Sequence, residues 1–270
     1  YVPDMKPRST GGSIINFLTS RSFLAPITAM VVFVVFWEFI VWVNDWPNYV
    51  MASPSDLPEV YAKFSALFVK YGWQTLWRTV VGLILAVAVG LFLGMIMGFS
   101  RLMRDALYPL LVGFNAIPKA TVVPIVALLF VGAHDFNTIL IAFMISFFPI
   151  AVSVSIGLST LEPEYRDILR ALGASQATIF WKIALPKTLP EFFGALKVAV
   201  TLAFIGTNLM EIVSPHGRGL GALFDSGKTN SDYPLMFAVL IALAVLGIVL
   251  YYVVVALEKV FAGWADRQPG

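Results

Sequence analysis

The feature that most constrains this chain is a series of long apolar runs, each about as long as a membrane is thick. Six such runs begin near residues 23, 76, 107, 136, 188 and 234. A helix needs about 20 predominantly apolar residues to cross a bilayer, and these runs meet that length. Only 13% of the residues are charged, whereas about 25% are charged in a typical soluble domain. We therefore predict an all-α membrane protein with about six transmembrane helices.

The apolar runs divide the chain into segments. An N-terminal segment covers 1–22, and 23–43 is the first span. An external loop with a short surface helix follows at 44–75, then a five-helix core at 76–260 and a C-terminal tail at 261–270. Within the core we place the spans at 76–99, 107–131, 136–158, 188–213 and 234–257.

The distribution of lysine and arginine predicts how the spans are oriented. With the N-terminus placed inside, eleven of the 18 basic residues fall in inside segments and five fall in outside segments. Loops rich in lysine and arginine stay on the cytoplasmic side of a membrane. We expect both termini to be cytoplasmic, together with the charged segment 159–187 between the fourth and fifth spans.

Small residues recur every fourth position along the second predicted span. They are Gly82, Ala86, Gly90, Gly94 and Gly98. This spacing aligns them on one face of a helix, where another backbone can approach closely. The stripe predicts tight helix packing within the chain, and an interface between two copies is the alternative.

The segment 159–187 has the pattern of two short helices that are too polar to span. Tyr165, Ile168, Leu169 and Leu172 have the spacing of one apolar helix face. Gly173 is a natural helix stop, and Ser175 can cap a second helix that we expect to end at Leu185-Pro186. An apolar stripe on such a pair fits a lipid-surface anchor or a docking face for a partner protein.

This segment resembles the cytoplasmic loop of the permeases of binding-protein-dependent ABC importers. Their signature is Glu-Ala-Ala, three residues, glycine, nine residues and Ile-x-Leu-Pro. The matching residues here are Asp167-Ile168-Leu169, Gly173 and Ile183-Ala184-Leu185-Pro186, with the spacing kept throughout. Asp replaces Glu, and Ile-Leu replaces Ala-Ala, so the acid and the apolar character remain but the bulk increases.

Further stretches are similar to the nitrate, sulfonate and taurine branch of that family. They include SPSDLPEV at 53–60, RGLGAL at 218–223 and the second and third predicted spans. The similarity covers roughly residues 50–265. It implies a type I ABC importer permease fold in a bacterial inner membrane.

The resemblance also implies a mechanism and partners. In that family the loop is a coupling helix that docks in a cleft of a cytoplasmic ATPase subunit, which carries the ATP and magnesium. It assigns the coupling contacts here to Glu164, Tyr165, Asp167, Ile168, Leu169, Leu172, Gly173, Ala174, Ile183, Leu185 and Pro186. It implies an ATPase dimer, a second permease copy (most simply an identical one), an extracytoplasmic solute-binding protein and surrounding lipid. The expected solute is small, such as a sulfonate, taurine, nitrate or bicarbonate, and aromatic carboxylates and pyrimidine vitamin precursors remain alternatives.

Polar residues inside the predicted spans are candidates for the translocation pathway. They are Asn115, Lys119, Asn208 and Glu211. Polar groups are costly in a membrane and often functional there, and Pro118 and Pro124 can break the helix around Lys119. The alternative for each residue is a structural role, in which it bonds to neighbouring helices or to backbone carbonyls.

The remaining motifs give weaker indications of function. ALFDSGKT at 222–229 fits a relaxed phosphate-loop pattern, but it lies between two spans, and we expect a polar external loop without ATP. The chain has no cysteine, and His134 and His216 are isolated, so we expect no metal site. We find no catalytic set and expect no chemistry by this chain, no cofactor within it and no nucleic-acid partner. The rival function is an ion-coupled secondary carrier that needs no ATPase.

Overall fold

The computed structural model describes residues 21–159, 171–173, 175–214 and 217–264. Regular structure in these residues is helical throughout. The helices are α1 (Arg21–Val43), α2 (Leu57–Lys63), α3 (Ser65–Phe99), α4 (Arg101–Ala116), α5 (Lys119–Leu129), α6 (His134–Ser159), α7 (Gln176–Ile179), α8 (Leu185–Val213), α9 (Leu220–Thr229) and α10 (Tyr233–Phe261). A 3₁₀ turn at Pro54–Asp56 precedes α2, and a π-helical turn at Phe180–Ala184 joins α7 to α8.

Four of the helical stretches are long and apolar enough to cross a membrane. They are α3, α6, Trp181–Val213 and α10, and the bent pair α4–α5 makes a fifth if it counts as one span. The first predicted span falls in α1, whose apolar part, Thr28–Val43, is shorter than a span, so the described residues contain four or five of the six predicted spans. The all-helical membrane fold predicted from the sequence is confirmed.

The stripe of small residues is the surface on which α3 packs against α6. A Cβ added at Gly82 would lie 2.6 Å from Ala142 Cβ, and one added at Gly94 would lie 2.7 Å from Val154 Cβ. These separations are shorter than any real Cβ contact, so glycine is required for the two backbones to come this close. Packing within the chain, as predicted, is the role of this stripe.

The register of this contact shows that α3 and α6 run in the same direction. Gly82 lies against Ala142, and sixteen residues later Gly98 lies against Leu158. Two spans that point the same way need one crossing between them. The α4–α5 pair therefore carries the chain back across the membrane as a broken span and is not a re-entrant hairpin.

The broken span corrects the continuous helix predicted at 107–131. α4 begins earlier, at Arg101, and the axes of α4 and α5 are bent by 84°. The break falls at Ile117 and Pro118, both of which have extended backbone angles. A residue before proline is driven out of the helical region, and proline has no N–H to continue the ladder, so the helix stops here.

The external loop predicted at 44–75 is shorter than expected. Its surface helix is interrupted only at Phe64, and α3 then begins at Ser65 instead of residue 76. At 35 residues, α3 is about 52 Å long, whereas the hydrocarbon core is about 30 Å thick. Its first turns therefore extend beyond the bilayer, where they pack with α2 and α10.

Helix α8 forms the centre of the bundle and runs antiparallel to α6. Gly157 faces Thr188 near one end of the pair, and Gly206 faces Ala142 near the other. The predicted helix end at Leu185-Pro186 is wrong, because helical structure continues from Gln176 through Pro186 to Val213. The π-helical turn just before Pro186 accommodates the missing proline N–H.

Candidate functional site

The predicted coupling segment lies where α6 ends and the helical rod of α7 and α8 begins. Its described members are Leu172, Gly173, Ile183, Leu185 and Pro186. The others, Glu164, Tyr165, Asp167, Ile168, Leu169 and Ala174, lie outside the described residues.

Local geometry in this segment follows the sequence pattern. Gly173 has φ of +82°, the left-handed conformation that glycine adopts without steric cost. Ser175 Oγ accepts a hydrogen bond from the backbone N–H of Thr178 at 3.2 Å and so caps α7. The left-handed conformation expected at Gly173 and the cap at Ser175 are both confirmed.

Two large apolar side chains of this segment are exposed. Leu172 is 79% exposed and Trp181 is 66% exposed, whereas Ile179 is buried against the rest of the bundle. Lys182 and Lys187 of the same segment are also exposed. Exposed large apolar side chains in a segment that also carries basic residues have the character of a contact surface.

A buried cluster of charges lies at the opposite end of the bundle. Arg78 of α3 donates from Nη1 to Glu211 Oε1 of α8 at 3.1 Å and from Nε to Asp135 Oδ1 of α6 at 2.8 Å. The Arg78 and Glu211 side chains are 3% and 0% exposed, and the Asp135 side chain is 59% exposed. One guanidinium thus ties together three spans.

The same cluster fixes the segment that leads into α9. The backbone N–H of Gly221 donates to Glu211 Oε2 at 3.0 Å, and Arg78 Nη1 donates to the carbonyl of Arg218. Thr75 Oγ1 donates to Glu211 and accepts from the N–H of Leu220 at 2.9 Å. Gly219, at φ of +125°, lies so close to the Glu211 carboxylate that a side chain there would overlap it.

The structure therefore places Glu211 inside the protein, away from any surface that a solute could contact in this conformation. Its carboxylate is held by two side chains and a backbone N–H. The pathway role expected for Glu211 from the sequence remains a prediction, and its contacts in this structure are structural.

Asn208, one turn earlier on α8, lies on a different face. It borders an open groove of about 570 Å³ between α8 and α10. Its Nδ2 donates to the Phe204 carbonyl at 2.7 Å, and its buried Oδ1 accepts no hydrogen bond from the described residues. Asn208 is thus the member of the predicted pathway set that combines a cavity with an unused hydrogen-bonding atom.

Lys119 and Asn115 lie at the break between α4 and α5. Lys119 Nζ donates to the Phe114 carbonyl at 2.6 Å and lies 4.5 Å from the centre of the Phe114 ring. The lysine thus satisfies a carbonyl that the broken helix leaves without its usual donor. Asn115 is exposed. The structure does not bring these two residues together with Asn208 and Glu211.

A second ion pair joins α8 to α10 near the coupling end. Lys197 Nζ donates to Glu258 Oε2 at 2.8 Å, and both side chains are about one-quarter exposed. Lys197 lies within the predicted span 188–213, and the sequence does not reveal its partner. The pair fixes α10 against the central helix at the end opposite the Arg78 cluster.

The phosphate-loop pattern at 222–229 is helical. It falls within α9, in which Leu220, Leu223 and Gly227 are buried. The predicted polar loop is wrong here, because these apolar side chains pack on α10. A phosphate loop wraps an anion with consecutive backbone N–H groups, and in a helix those groups are used by the helix itself.

His134 begins α6, and its Nδ1 lies 2.8 Å from Ser214 Oγ. Among the described residues, no group of three or more His, Cys, Asp or Glu side chains is arranged to hold a metal ion.

The Arg78 cluster is the main feature that the sequence did not reveal. Arg78 lies near the start of the predicted span 76–99 and Asp135 just before the span predicted from residue 136, and neither is among the predicted site residues. An arginine this close to a long apolar run is a signal for a buried acidic partner, because an unpaired charge at that depth is unfavourable. The identity of the partner could not be read from the sequence, since Asp135 and Glu211 are 57 and 133 residues away.

The fold and these sites define a polytopic helical membrane protein, and comparison with known proteins gives its family. The model of the binding-protein-dependent transport system inner membrane component matches residues 86–263. The chain belongs to this family of ABC importer permeases.

Curated relatives and a solved structure agree with this family. The chain is 30% identical to the formylaminopyrimidine transport permease protein ThiX of Halalkalibacterium halodurans, over 91% of this chain and 97% of that protein. It is 30% identical to the riboflavin transport system permease protein RibX of Chloroflexus aurantiacus, over 88% and 89%. It is 27% identical to the nitrate import permease protein NrtB of Synechocystis sp., over 91% and 90%.

The fold is also similar to a chain of the MetNI methionine ABC transporter in an inward-facing conformation. The TM-score is 0.62 at 20% identity, and the match covers 74% of this chain and 98% of that one. This similarity supports the type I importer permease fold.

Proposed function

We propose that this chain, with a second permease copy, forms the translocation pathway of an ATP-driven importer, and that a separate ATPase dimer drives it by contact with segment 159–187. ATP-dependent closure of the ATPase dimer moves this segment, and the spans then alternate between outward-open and inward-open states. An extracytoplasmic binding protein delivers the solute. Both termini face the cytoplasm, as the distribution of lysine and arginine favours.

One observation carries the coupling part of this proposal. Helical structure is continuous from Gln176, in the coupling segment, to Val213, beside the Arg78 cluster. A helix of this kind transmits displacement along its axis because its backbone hydrogen bonds resist bending. Movement at the coupling end is therefore passed to Glu211 and, through Arg78, to α3 and α6.

The π-helical turn at Phe180–Ala184 supports this role. Such turns are often found at functional sites, where the wider backbone ring allows a local change in helix geometry. The turn contains the exposed Trp181 and leads directly into α8. We assign it as the point at which the rod adjusts when the ATPase dimer closes.

The solute is a small molecule whose chemistry the relatives leave open. Nitrate, named for one relative, fits the small anion expected from the sequence. Formylaminopyrimidine and riboflavin, named for two others, are uncharged or weakly charged heterocycles.

The coupling proposal is tested with the exposed residue Leu172. The transporter is purified with its ATPase subunits and binding protein and reconstituted in liposomes, and ATP hydrolysis and solute uptake are measured in parallel. We expect Leu172→Asp to reduce solute uptake, and the stimulation of ATP hydrolysis that accompanies uptake, by at least about tenfold. An unpaired charge buried at the contact with the ATPase costs more than about 1.4 kcal/mol, which corresponds to a factor of ten. Leu172 is 79% exposed, so the change leaves the fold of the permease intact.

The matched control is Val69→Asp, at an equally exposed apolar position near the other end of the bundle. It is expected to keep uptake near the unmodified level. Uptake that survives Leu172→Asp undiminished would show that the ATPase does not contact this segment.

A further inference from the structure

The residues that line the groove between α8 and α10 restrict the kind of solute that it could bind, which membership of the family does not. Its volume of about 570 Å³ falls in the range of small-molecule sites. Phe204 of α8 and Tyr251 and Tyr252 of α10 are among its lining residues, and Tyr252 is 64% exposed. Gly247 lets α10 approach the Phe204 ring closely. The groove therefore presents aromatic surface to whatever enters it.

Charge is missing from this groove. None of the described residues that line it is acidic or basic. Three basic side chains within the spans are already engaged: Arg78 with two carboxylates, Lys197 with Glu258, and Lys119 with the Phe114 carbonyl. A small inorganic anion would find no cation here to replace its lost hydration, which makes its binding unfavourable.

One polar atom of the groove lacks a partner. Asn208 Oδ1 is buried and accepts no hydrogen bond within the described part of the chain, whereas Nδ2 of the same amide donates to the Phe204 carbonyl. An unsatisfied acceptor in a membrane span is costly, and such groups usually face a pathway or a partner. The atom is an acceptor only, so the group that satisfies it must be an N–H or O–H donor.

Thr201 lines the same groove and is exposed, seven residues or two helical turns before Asn208. Its Oγ1 donates to the Lys197 carbonyl at 3.1 Å, so the hydroxyl hydrogen is already bonded within α8. Asn208 Oδ1 is therefore the acceptor on this face of α8 that still lacks a donor among the described residues.

From these observations we infer that the groove is a solute site for an uncharged, planar nitrogen heterocycle that carries an N–H donor. The ring lies against Phe204 and the tyrosines, and the N–H donates to Asn208 Oδ1. The oxygen is covered in this conformation, so the site is completed when α10 shifts relative to α8 during alternating access. The inference rests on the proposed importer function and narrows its solute to this class in preference to nitrate or a sulfonate.

The test uses the lack of cysteine in the native chain. Thr201→Cys places a single thiol in the groove of the complete transporter, and a water-soluble methanethiosulfonate reagent reports whether water reaches it. Only the thiolate reacts, so a thiol that faces lipid is modified slowly. The control is Ile84→Cys, an exposed position on α3. Its depth is similar, because the nearby Gly82 and Gly206 of α8 both contact Ala142.

Three probes separate the solute classes. They are 4-aminopyrimidine, pyrimidine (the same ring without an N–H donor) and nitrate. We expect Thr201→Cys to react at least about tenfold faster than Ile84→Cys, and 4-aminopyrimidine to slow that reaction at lower concentration than pyrimidine. Nitrate should give no protection.

Asn208→Leu, added to Thr201→Cys, tests the hydrogen bond itself. Leucine fills a similar volume and removes a buried unsatisfied atom, so the fold is preserved. The half-protecting concentration of 4-aminopyrimidine should rise about tenfold, as for the loss of one hydrogen bond to a buried group, while that of pyrimidine stays unchanged.

The inference is overturned if Thr201→Cys reacts as slowly as Ile84→Cys, which would mean that the groove faces lipid or a second copy. Nitrate that protects the thiol at the same concentration as 4-aminopyrimidine would also overturn the inference. So would a failure of all three probes to protect it. ATP-dependent uptake by the same preparation is measured in parallel. If it is present while protection fails, the importer function stands and only the solute site is wrong.

Discussion

Replacing Arg78 with methionine is the change whose cost the structure defines best. The guanidinium is buried and holds Glu211, Asp135 and the Arg218 carbonyl. Without it, the Glu211 carboxylate, whose side chain is fully buried, keeps only Thr75 and the Gly221 N–H. Removing one partner of a buried ion pair lowers the free energy of unfolding by about 3–5 kcal/mol. At about 2–4 °C per kcal/mol, the unfolding temperature should fall by roughly 6–20 °C.

The assay is thermal unfolding of the purified complex in lipid-supplemented detergent, followed by the fraction that remains monodisperse. A second change, Glu211→Gln, removes the uncompensated charge. The double variant Arg78→Met with Glu211→Gln should therefore unfold at a higher temperature than Arg78→Met alone. This reversal is specific to a buried charge and is not expected from a simple loss of packing.

Lys197→Met provides the matched control, since it removes a second described ion pair between spans. Lys197 and Glu258 are about one-quarter exposed, so water compensates part of the loss. We expect a cost of no more than about 1 kcal/mol, or about 4 °C. Equal losses for Arg78→Met and Lys197→Met, or a double variant no more stable than Arg78→Met, would refute the reasoning.

Three further predictions concern packing, coupling and orientation. Gly94→Leu should prevent α3 from packing on α6 and cost at least about 1–3 kcal/mol in the same unfolding assay, whereas Gly72→Leu on the same helix, with open space around its Cβ position, should be tolerated. If both variants unfold alike, the packing role of the glycine stripe is wrong. Gly173→Val should reduce ATP-coupled uptake because valine is strained at positive φ, and Gly173→Asn should retain most of it; similar losses for the two variants would exclude a conformational cause. A single cysteine in place of Asn230 should react with an impermeant maleimide on intact spheroplasts, and one in place of Lys182 should react only after permeabilisation, so the opposite pattern would invert the predicted topology.

The parts of the fold set by local pattern were predictable from the sequence. The glycine spacing in α3 indicated a close helix contact, because only residues without bulk let two backbones approach so nearly. The left-handed Gly173 and the capping Ser175 follow from properties of single residues. Each of these features depends on neighbours within a few positions along the chain.

Features that depend on tertiary context were missed or misplaced. Pro118 indicated a break, but the 84° bend and the parallel course of α3 and α6 depend on contacts between distant residues. Polarity assigned 222–229 to a loop, whereas Leu220 and Leu223 are buried on α10 and make it helical.

The candidate sites show the same division. Asn208 was identified because an amide in an apolar span is unusual. The groove that makes it a candidate solute contact is formed jointly by α8 and α10 and is not visible in the sequence. Glu211 was identified for the same reason but is enclosed by Arg78, Thr75 and the α9 segment. The sequence pattern therefore identifies polar residues within apolar spans, but it does not show whether such a residue is a structural partner or a solute contact.

The most direct test of the central claim is to purify this chain from its own membranes in mild detergent and to identify every stoichiometric partner by mass spectrometry. The account predicts an ABC-type ATPase subunit that matches the permease in copy number, and its loss in the Leu172→Asp variant. A permease dimer recovered intact without any ATPase would contradict the account. That result, with ion-coupled uptake by the permease alone, would favour a secondary carrier.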